Sequence, residues 1–191
     1  MQEIYKQDQT IERIDFTQDP LPKGEYESCI FKGCNFSNAD LSDFRFIDCE
    51  FNGCNISLTK INKTAFRDIK FIDSKMLGLR FESCNQLGLA FSFEGCHLNH
   101  SSFFKAKIKK TPFKNCQLRE VDFSDGDLSA VVFDNCDLIG AVFDNTILEK
   151  ADFRTSCNYS FDPDKNRIKK AYFSLSGIAG LLIKYDINIE Q

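Results

Sequence analysis

The sequence contains no tryptophan, two methionines, two histidines and four prolines in 191 residues. With His97 and His100 as its whole histidine complement, a metal or proton-transfer site would lack the third ligand or orienting partner that such chemistry needs. No two cysteines have CxxC spacing, which argues against zinc, and Leu87-Gly88-Leu89 is too short to cradle a phosphate. No catalytic constellation is present, so the expectation is a protein that is not an enzyme and carries no cofactor. No apolar run approaches the ~18 residues that span a bilayer. Met1-Gln2-Glu3-Ile4-Tyr5-Lys6 lacks the basic and then apolar order of a signal peptide. The expected location is therefore cytoplasmic, with no membrane partner. A net charge of −4 and a pI near 5.3 argue against direct nucleic-acid binding, which usually needs a basic chain.

What the chain has in excess is phenylalanine, 20 of 191 residues. Phe31, Phe51, Phe71, Phe93, Phe113, Phe133 and Phe153 recur every twenty residues with one step of twenty-two, and large apolar residues fill every fifth position from Tyr26 to Phe81 and again, after a slip of two, from Phe93 to Phe153. A helix cannot bury such a series, because five steps of 100° carry successive side chains around its axis; a strand alternates every two. The period fits a chain that turns a corner every five residues and closes a square coil every twenty, each inward residue stacking on its counterpart one coil later. Three more ladders follow from the same sorting. They are Phe36, Ile56, Met76, Leu98, Leu118, Leu138; then Leu41, Ile61, Phe81, Phe103, Phe123, Phe143; then Tyr26, Phe46, Phe66, a break, and Ile108, Leu128, Leu148.

Eight of the nine cysteines lie two residues before a ladder position, where Ala39, Ala106, Ala141 and Ala151 also stand; only Cys157 falls outside. Such a place wants a small inward side chain, and a free thiol packs as a small hydrophobe. Twelve residues separate Phe81 from Phe93 where ten are expected, so a two-residue bulge within 82–92 projects from the fourth side or its corner. The coil is expected over 24–156, with 1–23 as an N-terminal cap running through Ile11, Ile14, Phe16 and Leu21, and 157–191 as the C-terminal cap. In that tail Ile178, Leu181, Leu182 and Tyr185 follow helical spacing behind Ser174 or Ser176, which predicts a short amphipathic helix; Ile187 and Ile189 then alternate like a strand.

Units such as Cys34-Asn35-Phe36-Ser37-Asn38, Ala39-Asp40-Leu41-Ser42-Asp43 and Ala151-Asp152-Phe153-Arg154-Thr155 resemble the pentapeptide repeat family, whose consensus is Ala-Asp/Asn-Leu/Phe-X-X. The resemblance implies an all-β fold, a right-handed quadrilateral β-helix. The size, the central slip and the tail from Asp162-Pro163 through Tyr185 are similar to members that protect DNA gyrase and topoisomerase IV: quinolone-resistance proteins and a microcin-immunity protein. That resemblance implies a DNA-mimicking rod that binds type II topoisomerase subunits and shields them from quinolone or peptide poisons. It also implies a homodimer joined through the C-terminal tail, here at Ile178, Leu181, Leu182 and Tyr185. The alternative is a protein-interaction scaffold with an unrelated partner.

Charge is the surface signal. Ser102 to Arg119 holds six bases and no acid, whereas Glu120 to Asp152 holds nine acids and Lys150 alone. Asp122, Asp125, Asp127, Asp134, Asp137 and Asp144 are the candidate partner-binding residues, presenting charge where DNA phosphates would lie. The same aspartates have a competing explanation as turn-forming Asx side chains and solubilising charge.

Overall fold

In the computed structural model, which describes residues 4–190, the chain winds into a four-sided parallel β-helix. One side is a four-stranded sheet of β1 (Ile4–Gln7), β3 (Gly24–Glu27), β5 (Arg45–Ile47) and β7 (Ala65–Arg67). A second is a seven-stranded sheet in which β2 (Thr10–Glu12), β4 (Ile30–Lys32), β6 (Glu50–Asn52), β8 (Ile69–Ile72), β9 (Phe91–Glu94), β10 (Pro112–Lys114) and β11 (Val132–Asp134) lie in order. The two remaining sides are built from single parallel bridges such as Asn35↔Asn55 and Asp122↔Val142, and bridges such as Asp127↔Ile147 continue the four-stranded side beyond the slip.

Strands this short follow from the corners. The residue two places after a ladder position takes a left-handed conformation, as at Asn38 (φ 59°), Asp43 (63°), Lys110 (60°) and Ala130 (58°), with Ser83 and Thr155 as exceptions. Asn, Asp and Gly enter that region at least cost, which explains their frequency there. Asn or Asp just before the ladder residue often closes the turn from its other side: Asp40 accepts from the Ser42 amide at 2.9 Å and Asp122 from the Ser124 amide at 2.9 Å.

Inside, the Phe ladder stacks with ring centroids 4.8 Å apart from Phe31 to Phe51, 5.3 Å from Phe71 to Phe93 and 4.8 Å from Phe93 to Phe113. All seven of its rings are buried. The position two residues before each ladder residue does more than fill space. Thr64 donates to the Leu41 carbonyl at 2.7 Å, Ser101 to Met76 at 2.8 Å, and the Cys54 and Cys136 thiols to Phe31 at 3.3 Å and Phe113 at 3.4 Å. Each carbonyl is that of a ladder residue one coil earlier, buried and turned inward. Cysteine thus competes with Ser and Thr for this place because it is a small apolar group that still carries a donor. Eight cysteines are buried and free, and Cys157 is free and exposed.

At the slip, Ala65 still pairs with Asn85, but Ile69 pairs with Phe91, so the two extra residues leave the coil between those bridges. Leu87 stands 74% exposed at the tip. The fourth ladder is not left empty: Phe91 turns inward to 5.7 Å from Phe66 and 5.3 Å from Phe81. β7 is the last strand of its sheet, because the next coil spends this side on the bulge.

Both ends differ from expectation. Residues 4–23, assigned as a cap, form a further coil: Ile11 pairs with Phe31 and Phe16 stacks on Phe36 at 4.7 Å. Lys6, half-buried, lies in register with Tyr26, so a lysine stands at a ladder position in this outermost coil. Residues 1–3 lie outside the described chain. At the other end the coil does not stop at Ser156. Arg167 bridges Ile147, Tyr172 bridges Asp152, and Phe173 stacks on Phe153 at 5.4 Å, one more twenty-residue step.

The expected amphipathic helix is replaced by two 3₁₀ turns, Ile178–Leu181 and Ile183–Tyr185. Gly177 and Gly180 weaken an α-helix there. Gly180 lies so close to the coil end that a Cβ would sit 2.0 Å from the Tyr159 carbonyl oxygen, and its own carbonyl accepts from the Phe161 amide at 3.2 Å. Contact with the open end fixes this backbone, and Asp186 at φ 49° ends the second turn. Neither Ser174 nor Ser176 is the N-cap, although Ser174 accepts from the Gly177 amide at 3.1 Å. No strand forms at Ile187 and Ile189.

Candidate functional site

Each of the four outer faces covers one ladder: the first covers Phe31 to Phe153, the second Phe36 to Leu138, the third Leu41 to Phe143 and the fourth Tyr26 to Leu148. Residues flanking a ladder position point outward on its face, because successive side chains alternate across a strand. This placement separates the six candidate aspartates. Asp122, Asp125 and Asp144 share the third face on adjacent coils; Asp127 is on the fourth, Asp134 on the first and Asp137 on the second. The acidic belt encircles the rod rather than forming one patch.

Hydrogen bonding divides the six further. Asp127 accepts from Ser129 Oγ at 2.6 Å and lies 2.9 Å from Lys109 Nζ, and these contacts hold its carboxyl below the usual range despite its burial. Asp137 is likewise partly buried and held low by Asn158 and Arg119, each at 2.7 Å. Asp134 accepts from Thr155 Oγ1 at 2.9 Å. Beyond the six, Asp152 is held low by Arg154 beside it, and Glu149 pairs with Arg167 at 2.6 Å. Most of these bridges join neighbouring coils, so a basic band at 105–119 beside an acidic band at 120–152 ties the stack together.

Asp122, Asp125 and Asp144 have no basic partner among the described residues. Asp122 is half-buried and caps its turn, whereas Asp125 and Asp144 are exposed. One coil further along this side Asp162 and Asp164 continue the acidic run, both bonded to Lys184 from the tail. Apolar side chains also stand out beside the third face: Val142 is 47% exposed and Ile139, on the adjoining corner, 49%. Both lie within the run Leu138 to Phe143, whose ladder residues are apolar in any case, so composition alone does not set them apart.

The tail residues part company as well. Leu181 is buried against the coil end and Leu182 is half-buried, while Ile178 and Tyr185 are exposed. Leu175, Ile183, Ile187 and Ile189 are exposed too, and a groove of about 840 Å³ runs between Leu175, Ile178, Ala179 and Ile189. Among the described residues no cluster of His, Cys, Asp and Glu is arranged to hold a metal, and no helix is long and apolar enough to cross a membrane.

No curated protein matches the chain. Among solved structures, a trypsin-treated form of QnrB1, a plasmid-mediated fluoroquinolone resistance protein, is similar at 16% identity over 97% of this chain and 100% of that one, with a TM-score of 0.49. HetL, a pentapeptide repeat protein involved in heterocyst differentiation regulation in the cyanobacterium Nostoc, is similar at 11% identity over 90% of this chain and 87% of that one, with a TM-score of 0.46. A pentapeptide repeat protein from the Arabidopsis thaliana thylakoid lumen is similar at 20% identity over 79% of this chain and 89% of that one, with a TM-score of 0.29. Family models match two stretches: residues 29–68 fit pentapeptide repeats in eight copies, and residues 89–158 fit the pentapeptide repeat region. Those matches span more than half of a chain whose five-residue corners and twenty-residue ladders are the geometry just described, and the chain belongs to the pentapeptide repeat family.

Proposed function

We propose that this protein acts without catalysis as an acidic rod that occupies the DNA-binding surface of a type II topoisomerase, gyrase or topoisomerase IV, and shields it from a quinolone or peptide poison. The observation that carries the reading is the third face, where Asp122 and Asp125 on one coil and Asp144 on the next stand with no basic partner among the described residues. Coils repeat at ~4.8 Å, so carboxylates on neighbouring coils form a fixed row. A surface evolved to hold duplex phosphates is basic, and a rigid row of negative charge competes for it by steered, salt-dependent association. Asp127, Asp134 and Asp137 contribute mainly to the fold.

The same reading includes a homodimer through the tail. The exposed Leu175, Ile178, Ile183, Tyr185, Ile187 and Ile189 exceed the apolar surface that closing one coil end requires, and an isologous contact would cover the patch on both copies at once. Such a dimer places two acidic faces on one longer rod. A scaffold with an unrelated partner remains the second reading, favoured by the exposed Val142 and Ile139 beside that face.

The test is gyrase supercoiling in the presence of a quinolone. Wild-type protein should restore supercoiling, and Asp125→Asn combined with Asp144→Asn should lose most of that effect with its melting temperature unchanged. Failure of wild-type protein to alter supercoiling with or without poison, even at low salt, transfers the account to the scaffold reading.

A further inference from the structure

The fourth face carries the opposite charge. Around Ile108 it presents Lys107, Lys109 and Lys110, and three coils later, around Ile168, Arg167, Lys169 and Lys170, with Lys150 between. Against these seven bases stand Asp127 and Glu149, each paired with one of them, Asp127 with Lys109 and Glu149 with Arg167. Five lysines are left without an acidic partner among the described residues. The other three faces of the same half are near neutral or acidic, so the chain's net charge of −4 conceals one strongly basic side.

We propose that this fourth face binds the phosphate backbone of duplex DNA, independently of sequence. Three coil steps of ~4.8 Å separate the two lysine clusters by about 14 Å, close to the ~12 Å width of the major groove of B-DNA. The clusters can therefore reach phosphates of both strands across one groove. The rigid coil presets that spacing, so little side-chain order beyond the lysine stems is lost on contact. None of the large exposed apolar side chains of this half lies on the face. A protein partner would be expected to find apolar anchors there, whereas phosphate binding requires only cations. Phosphate contacts carry no direct sequence information, which makes the contact positional. This inference stands apart from the topoisomerase reading, since it concerns a different face and a different ligand.

Fluorescence anisotropy of a labelled random-sequence 20-base-pair duplex, titrated with full-length protein between 25 and 200 mM salt, tests it. Each neutralised phosphate contributes about −0.9 to the slope of log affinity against log salt, so five lysines predict a slope of about −4.5. Lys169→Gln with Lys170→Gln should weaken binding by ~10-fold or more at 50 mM salt and reduce the slope's magnitude by about two. Lys107→Gln with Lys110→Gln should do the same. These side chains are exposed, and an unchanged melting temperature would show that the variants fold. No binding by wild-type protein at 25 mM salt overturns the proposal, as does equal binding by the lysine variants. Binding only to vesicles containing phosphatidylserine, with none to the duplex, overturns it in favour of a membrane. Retained supercoiling protection by the lysine variants keeps this result separate from the fate of the third face.

Discussion

At the scale of single residues, the fold rests on positions that each meet two demands at once. Phe113 is fully buried and stacked 4.8 Å from Phe93 and 5.3 Å from Phe133. Phe113→Ala should cost ~3–5 kcal/mol, because coils held above and below by backbone bonds cannot collapse into the cavity. Urea unfolding followed by circular dichroism measures this; a loss below ~1 kcal/mol would contradict the inward assignment. The cysteines carry a second expectation. Eight thiols are buried and Cys157 is exposed, so a thiol reagent at pH 8 should modify Cys157 in the native protein and the remaining eight only on unfolding. Two or more fast equivalents in native protein would place another thiol at the surface. Their small size and inward position were legible in the sequence. Their hydrogen bonds to ladder carbonyls were not, because the acceptor, as for Cys54 and Phe31, lies 23 residues away and belongs to the preceding coil.

At the scale of elements, the ladders were readable because one short-range rule, a corner every five residues, repeats without reference to anything distant. Phe31 to Phe153, and the two extra residues in 82–92, follow from counting alone. The reading failed where tertiary contact overrides the local pattern. Phe91 lies three places beyond Gly88, where the shifted register would put the fourth-ladder residue, and only the bulge brings it inward. Phe173 lies twenty residues after Phe153, a signal present in the sequence but masked by the irregular stretch around Asp162-Pro163. The tail looked helical by spacing, yet Gly177 and Gly180 let it flatten against Tyr159 and Phe161 as 3₁₀ turns. This changes how its dimerisation must be tested. Leu181→Asp would strike the cap itself, since Leu181 is buried within one chain. Ile183→Asp lies on the exposed surface and should convert a dimer to a folded monomer in light scattering, with little change in melting temperature. A wild-type chain that is monomeric at tens of micromolar would contradict the dimer.

At the scale of the whole molecule, the rod sorts charge by face, which linear sequence conceals. The belt from Glu120 to Asp152 reads as one acidic stretch, but a coil of twenty residues distributes it around four sides, and Lys109, Arg119, Arg154 and Arg167 tie much of it down. What survives is the row of Asp122, Asp125 and Asp144 on one face and the lysines on its neighbour. The central claim is that the acidic row engages a topoisomerase. Surface-plasmon binding of purified gyrase to immobilised protein, compared with the double variant Asp125→Asn, Asp144→Asn over a salt series, tests it most directly. The account predicts micromolar or tighter binding at 50 mM salt that weakens as salt rises. Loss of the two carboxylates should lower affinity about tenfold, mainly through slower association. Wild-type and variant proteins binding gyrase equally, or neither binding at all, would contradict it.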